Sequence, residues 1–357
     1  MAETSYEFAI FGSTPLAGLL AGLLATVHQK RVCIMGEASS AFRLPRGIDL
    51  SAMPATRPES WALLKQTTPE VLKLIGRLHG RAAMRHVDPV FVAETTEGAD
   101  ALSHMRHVAL DFGYEVDRLP DGSTGGVAYR LADAVLLDRT RLEPAILAWL
   151  AKLDVGLLSP WQASAVIKRD GSVRIEFAGR SIEASHAVLA DDAAILTYLE
   201  AAERDRTLRI ETATALLTEP TRTLVAPAVI YVDRGVTLVR GRTRGVAAIG
   251  IGRPEQAIAR VGGCLAGHGP LRRAGQRIFR TIETVDGAPL IGPARGLKAT
   301  VLAGLGVSGA FLAPAIARLV AGQATDDEKR YFAAREAGRG NARALVAEFA
   351  GSAALEA

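Results

Sequence analysis

Along the 357 residues, apolar and polar positions alternate in blocks, and their periods separate strands from helices. Tyr6 to Phe11 is a short, mainly apolar run. Gly12 to Pro15 carries turn residues, Leu16 to Val27 reads as a helix, and Arg31 to Met35 is a second apolar run. This pattern predicts a β-α-β unit at the start of the chain, where dinucleotide-binding domains commonly carry their phosphate turn. Pro58 to Gly80, with apolar residues recurring at helical spacing, is predicted helical. From His86 the pattern changes: Pro89 to Ala93 is strand-like, Glu97 to Phe112 helical and Tyr114 to Leu119 strand-like, which predicts an inserted second domain. Leu142 to Leu153 is an amphipathic helix, and Ser164 to Phe177 alternates around the hairpin signal Asp170-Gly171. His186 to Ala190 is a short apolar strand that returns to the first sheet. A β-rich stretch from Arg209 to Gly252, with runs at Val225 to Val232, Thr237 to Arg240 and Ala247 to Ile251, completes the insertion. Thr300 to Ala303 is a strand, Gly304 to Gly309 a glycine turn and Phe311 to Ala321 a helix. The tail from Asp326 is helical or frayed and is assigned no chemistry.

The length fits two domains, and a hydrophobic fraction of 49% is enough to bury both cores. The apolar stretch Ala9 to Val27 contains one Pro and three Gly, so it reads as strand, turn and helix; no transmembrane span and a cytoplasmic location are expected. Cys33 and Cys264 are too few for a disulfide framework and lack metal-ligand spacing. A net charge of +4 with scattered arginines favours anionic ligands over nucleic acid. Neither His79, His86, His104, His107 and His268 nor the cysteines show a metal-ligand pattern. His104 and His107 read as a polar helix face, and no G-x-S-x-G elbow is present.

Three segments carry candidate chemistry. In Gly12-Ser13-Thr14-Pro15-Leu16-Ala17-Gly18, a pyrophosphate would sit on the helix start and accept backbone N–H bonds. Against G-x-G-x-x-G only Gly12 stands. Ala17 is tolerated at the third place, whereas Thr14 puts side-chain atoms where the phosphate should approach. Glu37, one residue past the place expected for a ribose-binding acid, follows the second apolar run. The strongest signal is Thr284-Val285-Asp286-Gly287-Ala288-Pro289-Leu290-Ile291-Gly292-Pro293, followed by one strand and then Ala303-Gly304-Leu305-Gly306-Val307-Ser308-Gly309-Ala310-Phe311-Leu312-Ala313-Pro314.

These two late segments, with the opening unit, the loop Ser39 to Ser51 and the helix start Asp138 to Leu142, resemble the FAD-dependent amino-acid oxidase and dehydrogenase superfamily of glycine oxidase, sarcosine oxidase and D-amino-acid dehydrogenases. The resemblance implies an α/β chain: a Rossmann-type FAD-binding domain with an inserted, β-rich substrate domain of α+β character. It places the FAD-binding domain at residues 1–85, 138–205 and 270–357 and the substrate domain at 86–137 and 206–269. It implies non-covalent FAD held by Gly12, Ser13, Thr14, Pro15, Leu16, Glu37, Ala38, Arg43, Arg46, Gly47, Ile48, Val166, Ala190, Asp191, Gly304, Gly306, Val307, Ser308, Gly309, Ala310 and Phe311. The second helix start would aim its dipole at the flavin's pyrimidine end. The implied reaction is oxidation of a C–N bond in a small amine or amino acid by hydride transfer to flavin N5.

Where the family often has an arginine in the glycine turn this chain has Val307, so a carboxylate clamp must come from elsewhere. Arg280, Arg240 or Arg242 is the expected replacement, with Tyr231 as a hydroxyl donor. Asp191 and Asp192 stand where the family usually has a small residue and Gly. Two alternatives stay open: a catalytically degenerate flavoprotein-like subunit of a heteromeric dehydrogenase, motivated by these departures, and a flavin-dependent hydroxylase sharing the opening unit. A partner subunit or a homo-oligomer is compatible with either.

Overall fold

A computed structural model describes residues 4–37, 44–78, 80–120, 122, 124–221, 224–241, 244–265, 272–294, 296–337 and 348–350. The chain opens with β1 (Thr4–Phe11), α1 (Pro15–Thr26), β2 (Val32–Met35) and α2 (Pro58–Arg77), then β3 (Met84–Val87), β4 (Val90–Ala93), α3 (Thr96–Asp111), β5 (Val116–Arg118), β6 (Val127–Leu131) and β7 (Ala134–Leu137). Next come α4 (Arg139–Lys152), β8 (Gly156–Leu158), β9 (Ala163–Ile167), β10 (Val173–Phe177), β11 (Arg180–Leu189), α5 (Asp192–Tyr198) and α6 (Ala201–Thr207). The remainder is β12 (Leu208–Thr218), β13 (Ala228–Tyr231), β14 (Val236–Arg240), β15 (Val246–Ile251), α7 (Pro254–Cys264), β16 (Arg273–Thr284), β17 (Leu290–Ala294), β18 (Leu297–Ala303), a 3-10 turn (Gly306–Leu312), α8 (Ala313–Val320) and α9 (Asp326–Ala333).

The first sheet runs β17-β18-β11-β1-β2-β8, with the β9–β10 hairpin attached to β11. Its centre is parallel: Phe11 lies level with Leu189 on one side and Met35 on the other. Chain flow therefore divides beside β1, and the carboxyl ends of β1, β2 and β11 open on one edge. That is the place where open α/β sheets bind ligands. Helix α1 is apolar all round because it is covered on every side; Leu19, Leu20 and Leu24 are fully buried.

The second sheet runs β16-β12-β15-β14-β13-β4-β6-β5 and is antiparallel except for β13 against β4. Strand β16 pairs with β12 along its whole length, so the chain rejoins the first sheet only at β17. The central strands of this sheet are covered on both faces. Val229, Tyr231, Val236, Leu238, Val246 and Ala248 pack with Val261 of α7, while Ile230 and Val232 join the core cluster around α1, α2 and α3. The expected alternating segments are present, and the Asp170-Gly171 hairpin joins β9 to β10. The helix expected from Phe311 begins at Ala313, because Gly304 and Gly306 adopt positive φ and the segment between winds as a 3-10 turn before the proline. Among the described residues no helix is long and apolar enough to cross a membrane.

Candidate functional site

The turn after β1 is built to bring backbone close to backbone. Gly12 has φ near +155°, and a Cβ there would press on Ala17, on the Ala190 carbonyl carbon and on the Asp191 carboxyl carbon. Gly36 leaves room for the Gly12 carbonyl oxygen, which any side chain at residue 36 would overlap. Thr14 caps α1: its Oγ1 accepts from the Ala17 N–H at 3.3 Å and donates to the Ala190 carbonyl at 3.5 Å, and Pro15 follows in the first turn. Thr14 is thus the N-cap of α1, its hydroxyl oxygen taking the Ala17 N–H. Asp191 crosses the same opening. Its Oδ2 accepts the Ser13 N–H at 2.8 Å and the Ser13 hydroxyl at 3.3 Å, while its Oδ1 accepts the Ala194 N–H at 2.8 Å as the cap of α5.

At the end of β2, Glu37 lies 3.4 Å from Arg46 and 3.7 Å from Arg277, and Arg277 also donates to the Leu44 carbonyl at 3.3 Å. Asp192 turns away from this opening. It accepts from the Thr281 hydroxyl at 2.8 Å and the Ile282 N–H at 3.1 Å, and burial pushes its carboxyl above the ordinary value despite those two bonds.

The late glycine turn reaches the same region. A Cβ on Gly309 would contact Leu16 at the start of α1 at 3.8 Å, and Ala310 and Phe311 are buried. The Ser308 hydroxyl donates to the Leu50 carbonyl at 2.7 Å, and the Leu50 N–H donates back to the Val307 carbonyl at 2.7 Å. Gly304 lies against Thr284 and Pro289, and Gly306 against the ring of Phe349. Gly47 sits beside Arg139, which pairs with Asp49 at 2.6 Å.

Between the Leu44–Ile48 loop and the second sheet lies a cavity of about 10 Å³, lined by Leu44, Pro45 and Ile48 on one side and by Thr237, Val239 and Ile249 on the other. Of the expected substrate-handling side chains, Tyr231, Arg240 and Arg280 are not among its lining residues. Tyr231 faces α7, donates to the Cys264 carbonyl at 3.4 Å, and is pushed up to about 12 by burial. Arg240 shares the parity of Val236 and Leu238 and donates to the Leu224 carbonyl at 2.9 Å. Arg280 is exposed and has the opposite parity to Arg277 and Phe279. Successive strand residues point to opposite faces, so one step in register decides which side a side chain serves. Val166 is 65% exposed on the outer face of β9. Ala38, Arg43, Arg242, His79 and His268 lie outside the described residues. Sequence reasoning missed Arg277, since β16 has polar residues at both parities and no apolar stripe to mark its inner face.

No protein-family model matches the sequence, and no curated protein matches it. Solved structures do resemble it. Glycine oxidase from Geobacillus kaustophilus superposes with a TM-score of 0.68 at 17% identity, over 97% of this chain and 98% of that one. L-Proline dehydrogenase from P. horikoshii gives 0.70 at 16% identity, over 93% and 97%. Iminodiacetate oxidase from Chelativorans sp. gives 0.65 at 18% identity, over 90% and 96%. The chain shares its fold with these three structures.

The residues beside the turn after β1 would fit a dinucleotide unevenly. The start of α1 and the 3-10 turn before α8 meet at Leu16 and Gly309, and an acid, Glu37, stands at the end of β2. Between these ends the pyrophosphate place does not fit as it stands. The Ser13 N–H, which a phosphate oxygen would need, is already bonded to a carboxylate.

Proposed function

We propose that this chain is an FAD-dependent oxidoreductase that oxidises a C–N bond of a small amine or amino acid. In this reading the first sheet with α1 and the Gly304–Leu312 turn forms the cofactor domain, and the second sheet forms the substrate wall. The observation that carries it is the meeting of the start of α1, at Leu16, with the late 3-10 turn before α8, at Gly309, beside a parallel sheet. The neighbouring folds support it, being an oxidase of glycine, a dehydrogenase of L-proline and an oxidase of iminodiacetate. When bound, the flavin would supply the two-electron acceptor.

The chain's own contribution is to bind, orient and dry the amine. Val239, Ala247 and Ile249 facing Leu44, Pro45 and Ile48 make an apolar wall that disfavours a charged ammonium and so favours the neutral amine. Among the cavity's described lining residues Thr237 carries the hydrogen-bonding side chain and would orient the nitrogen. A cavity of about 10 Å³ is far below the roughly 300–1,000 Å³ of ligand pockets, so this reading requires the Leu44–Ile48 loop to move back before substrate can enter. With Val307 in the glycine turn and no arginine among the cavity's described lining residues, apolar amines fit better than amino-acid carboxylates.

The test is anaerobic titration of FAD-loaded protein with pyrrolidine, L-proline, glycine and iminodiacetate. Bleaching of the flavin absorbance is expected, strongest with pyrrolidine; loaded protein that no amine bleaches would reject the reading. One observation favours a second reading, a non-catalytic subunit built on the same fold: the carboxylate of Asp191 in the phosphate place. Co-purification with a dehydrogenase subunit would support it, and turnover by this chain alone would exclude it.

A further inference from the structure

Asp191 behaves in this structure as a phosphate would. One carboxylate oxygen takes the Ser13 N–H and hydroxyl in the turn after β1, and the other takes the Ala194 N–H, so the group bridges the point beside β1 where chain flow divides. The pieces come together across 178 residues of sequence, so local turn preference does not explain the contact. The neighbouring cations are engaged elsewhere: Arg46 and Arg277 sit with Glu37 at the end of β2. Asp192, the adjacent acid, is held by Thr281 and Ile282 and does not share the cradle. A pyrophosphate entering here would need the same Ser13 N–H and would bring negative charge against a fixed carboxylate.

We propose that Asp191 is an internal surrogate for the cofactor phosphate: it closes the cradle in the cofactor-free chain, competes with the pyrophosphate of an incoming dinucleotide, and thereby sets how tightly FAD is held. This rests on the FAD reading above and goes beyond it, because it assigns the affinity to a residue that sets occupancy and not to the fold. The competition has two parts. Removing the charge relieves repulsion, and removing the acceptor frees the Ser13 N–H. Asp191→Asn removes the charge and keeps one oxygen, which can serve the Ala194 N–H or the Ser13 N–H but not both, and Asp191→Gly removes the charge and every side-chain acceptor.

The experiment measures FAD binding by quenching of flavin fluorescence in the full-length chain and both variants, with thermal melts run without FAD. Both variants are expected to bind FAD at least about tenfold more tightly than the parent chain. In the melts Asp191→Gly should lie below the parent and Asp191→Asn between them, because each loses bonds that the carboxylate now supplies. A parent chain that binds FAD as tightly as both variants overturns the surrogate role and leaves the FAD reading standing. Three proteins that melt cooperatively and bind no FAD overturn both. A gain confined to Asp191→Gly overturns competition by charge, and if that variant does not melt cooperatively Asp191→Asn alone decides.

Discussion

Glu348 and Asp191 each tie together segments far apart in the chain, Glu348 through Arg335 and Ser60, Asp191 through the main-chain N–H groups of Ser13 and Ala194. Around Glu348 everything is closed. Arg335 and Glu348 are 3% and 2% exposed, the guanidinium lies 3.6 Å from the Tyr331 ring centroid, and the Ser60 hydroxyl donates to the carboxylate at 2.5 Å. The Thr56 N–H donates to the Glu348 carbonyl at 2.8 Å, fixing the segment against the start of α2. Asp191 is half-buried, and among the described residues its bonds come from N–H and hydroxyl groups, with no Lys or Arg within ion-pair distance. A carboxylate enclosed with its guanidinium is a strut, since neither partner has anywhere else to go. A carboxylate that borrows backbone donors at the edge of a sheet is exchangeable, since another anion can take the same donors.

Breaking the strut should have the largest effect. Arg335→Met leaves the Glu348 charge buried without its partner and is expected to cost about 3–5 kcal/mol by chemical denaturation, whereas the double change with Glu348→Leu should recover most of the loss. A single-variant loss under about 1 kcal/mol, as for an exposed pair, would erase the contrast with Asp191. Next, Gly36→Ala forces a methyl group into the Gly12 carbonyl and is expected to cost about 1–3 kcal/mol while displacing the turn after β1. Unchanged stability would mean that the close approach of β2 to that turn is not required.

Removing the exchangeable group should cost less. Without cofactor, Asp191→Ala loses the cap of α5 and the Ser13 acceptor and is expected to destabilise by about 1 kcal/mol; a loss as large as that of Arg335→Met would make Asp191 a strut too. The smallest effect is a slope with pH. Burial holds the Asp192 carboxyl above its ordinary value of 3.8, so the folded chain keeps this proton more tightly than the unfolded one. The resulting stability is fully present below 3.8 and is lost as pH rises through the raised folded value. Asp192→Asn should flatten that decline in melts taken from acid to neutral pH, and an identical slope would show that Asp192 does not titrate with folding.

The opening unit was legible because its period changes from strand to helix across a glycine turn, and the late turn because its residues follow a family pattern. The side of the second sheet was not. Its central strands are covered on both faces, so apolar residues occur at both parities, and nothing local marks Thr237 rather than Arg240 as facing the cavity. Strand β16 was hidden for a related reason, since Arg273, Arg277 and Arg280 break up any apolar alternation. The acidic pair after β11 could be read only as a departure. That Asp191 enters the cradle while Asp192 leaves it depends on contacts with Ser13 and Thr281, which sequence spacing does not report.

Whether a dinucleotide phosphate and the Asp191 carboxylate use one and the same donor is tested most directly at the Ser13 amide. In full-length protein labelled at serine nitrogen, titration with FAD should move the Ser13 resonance in step with the quenching of flavin fluorescence, as one acceptor replaces the other. A Ser13 resonance that stays fixed while FAD binds would contradict the claim.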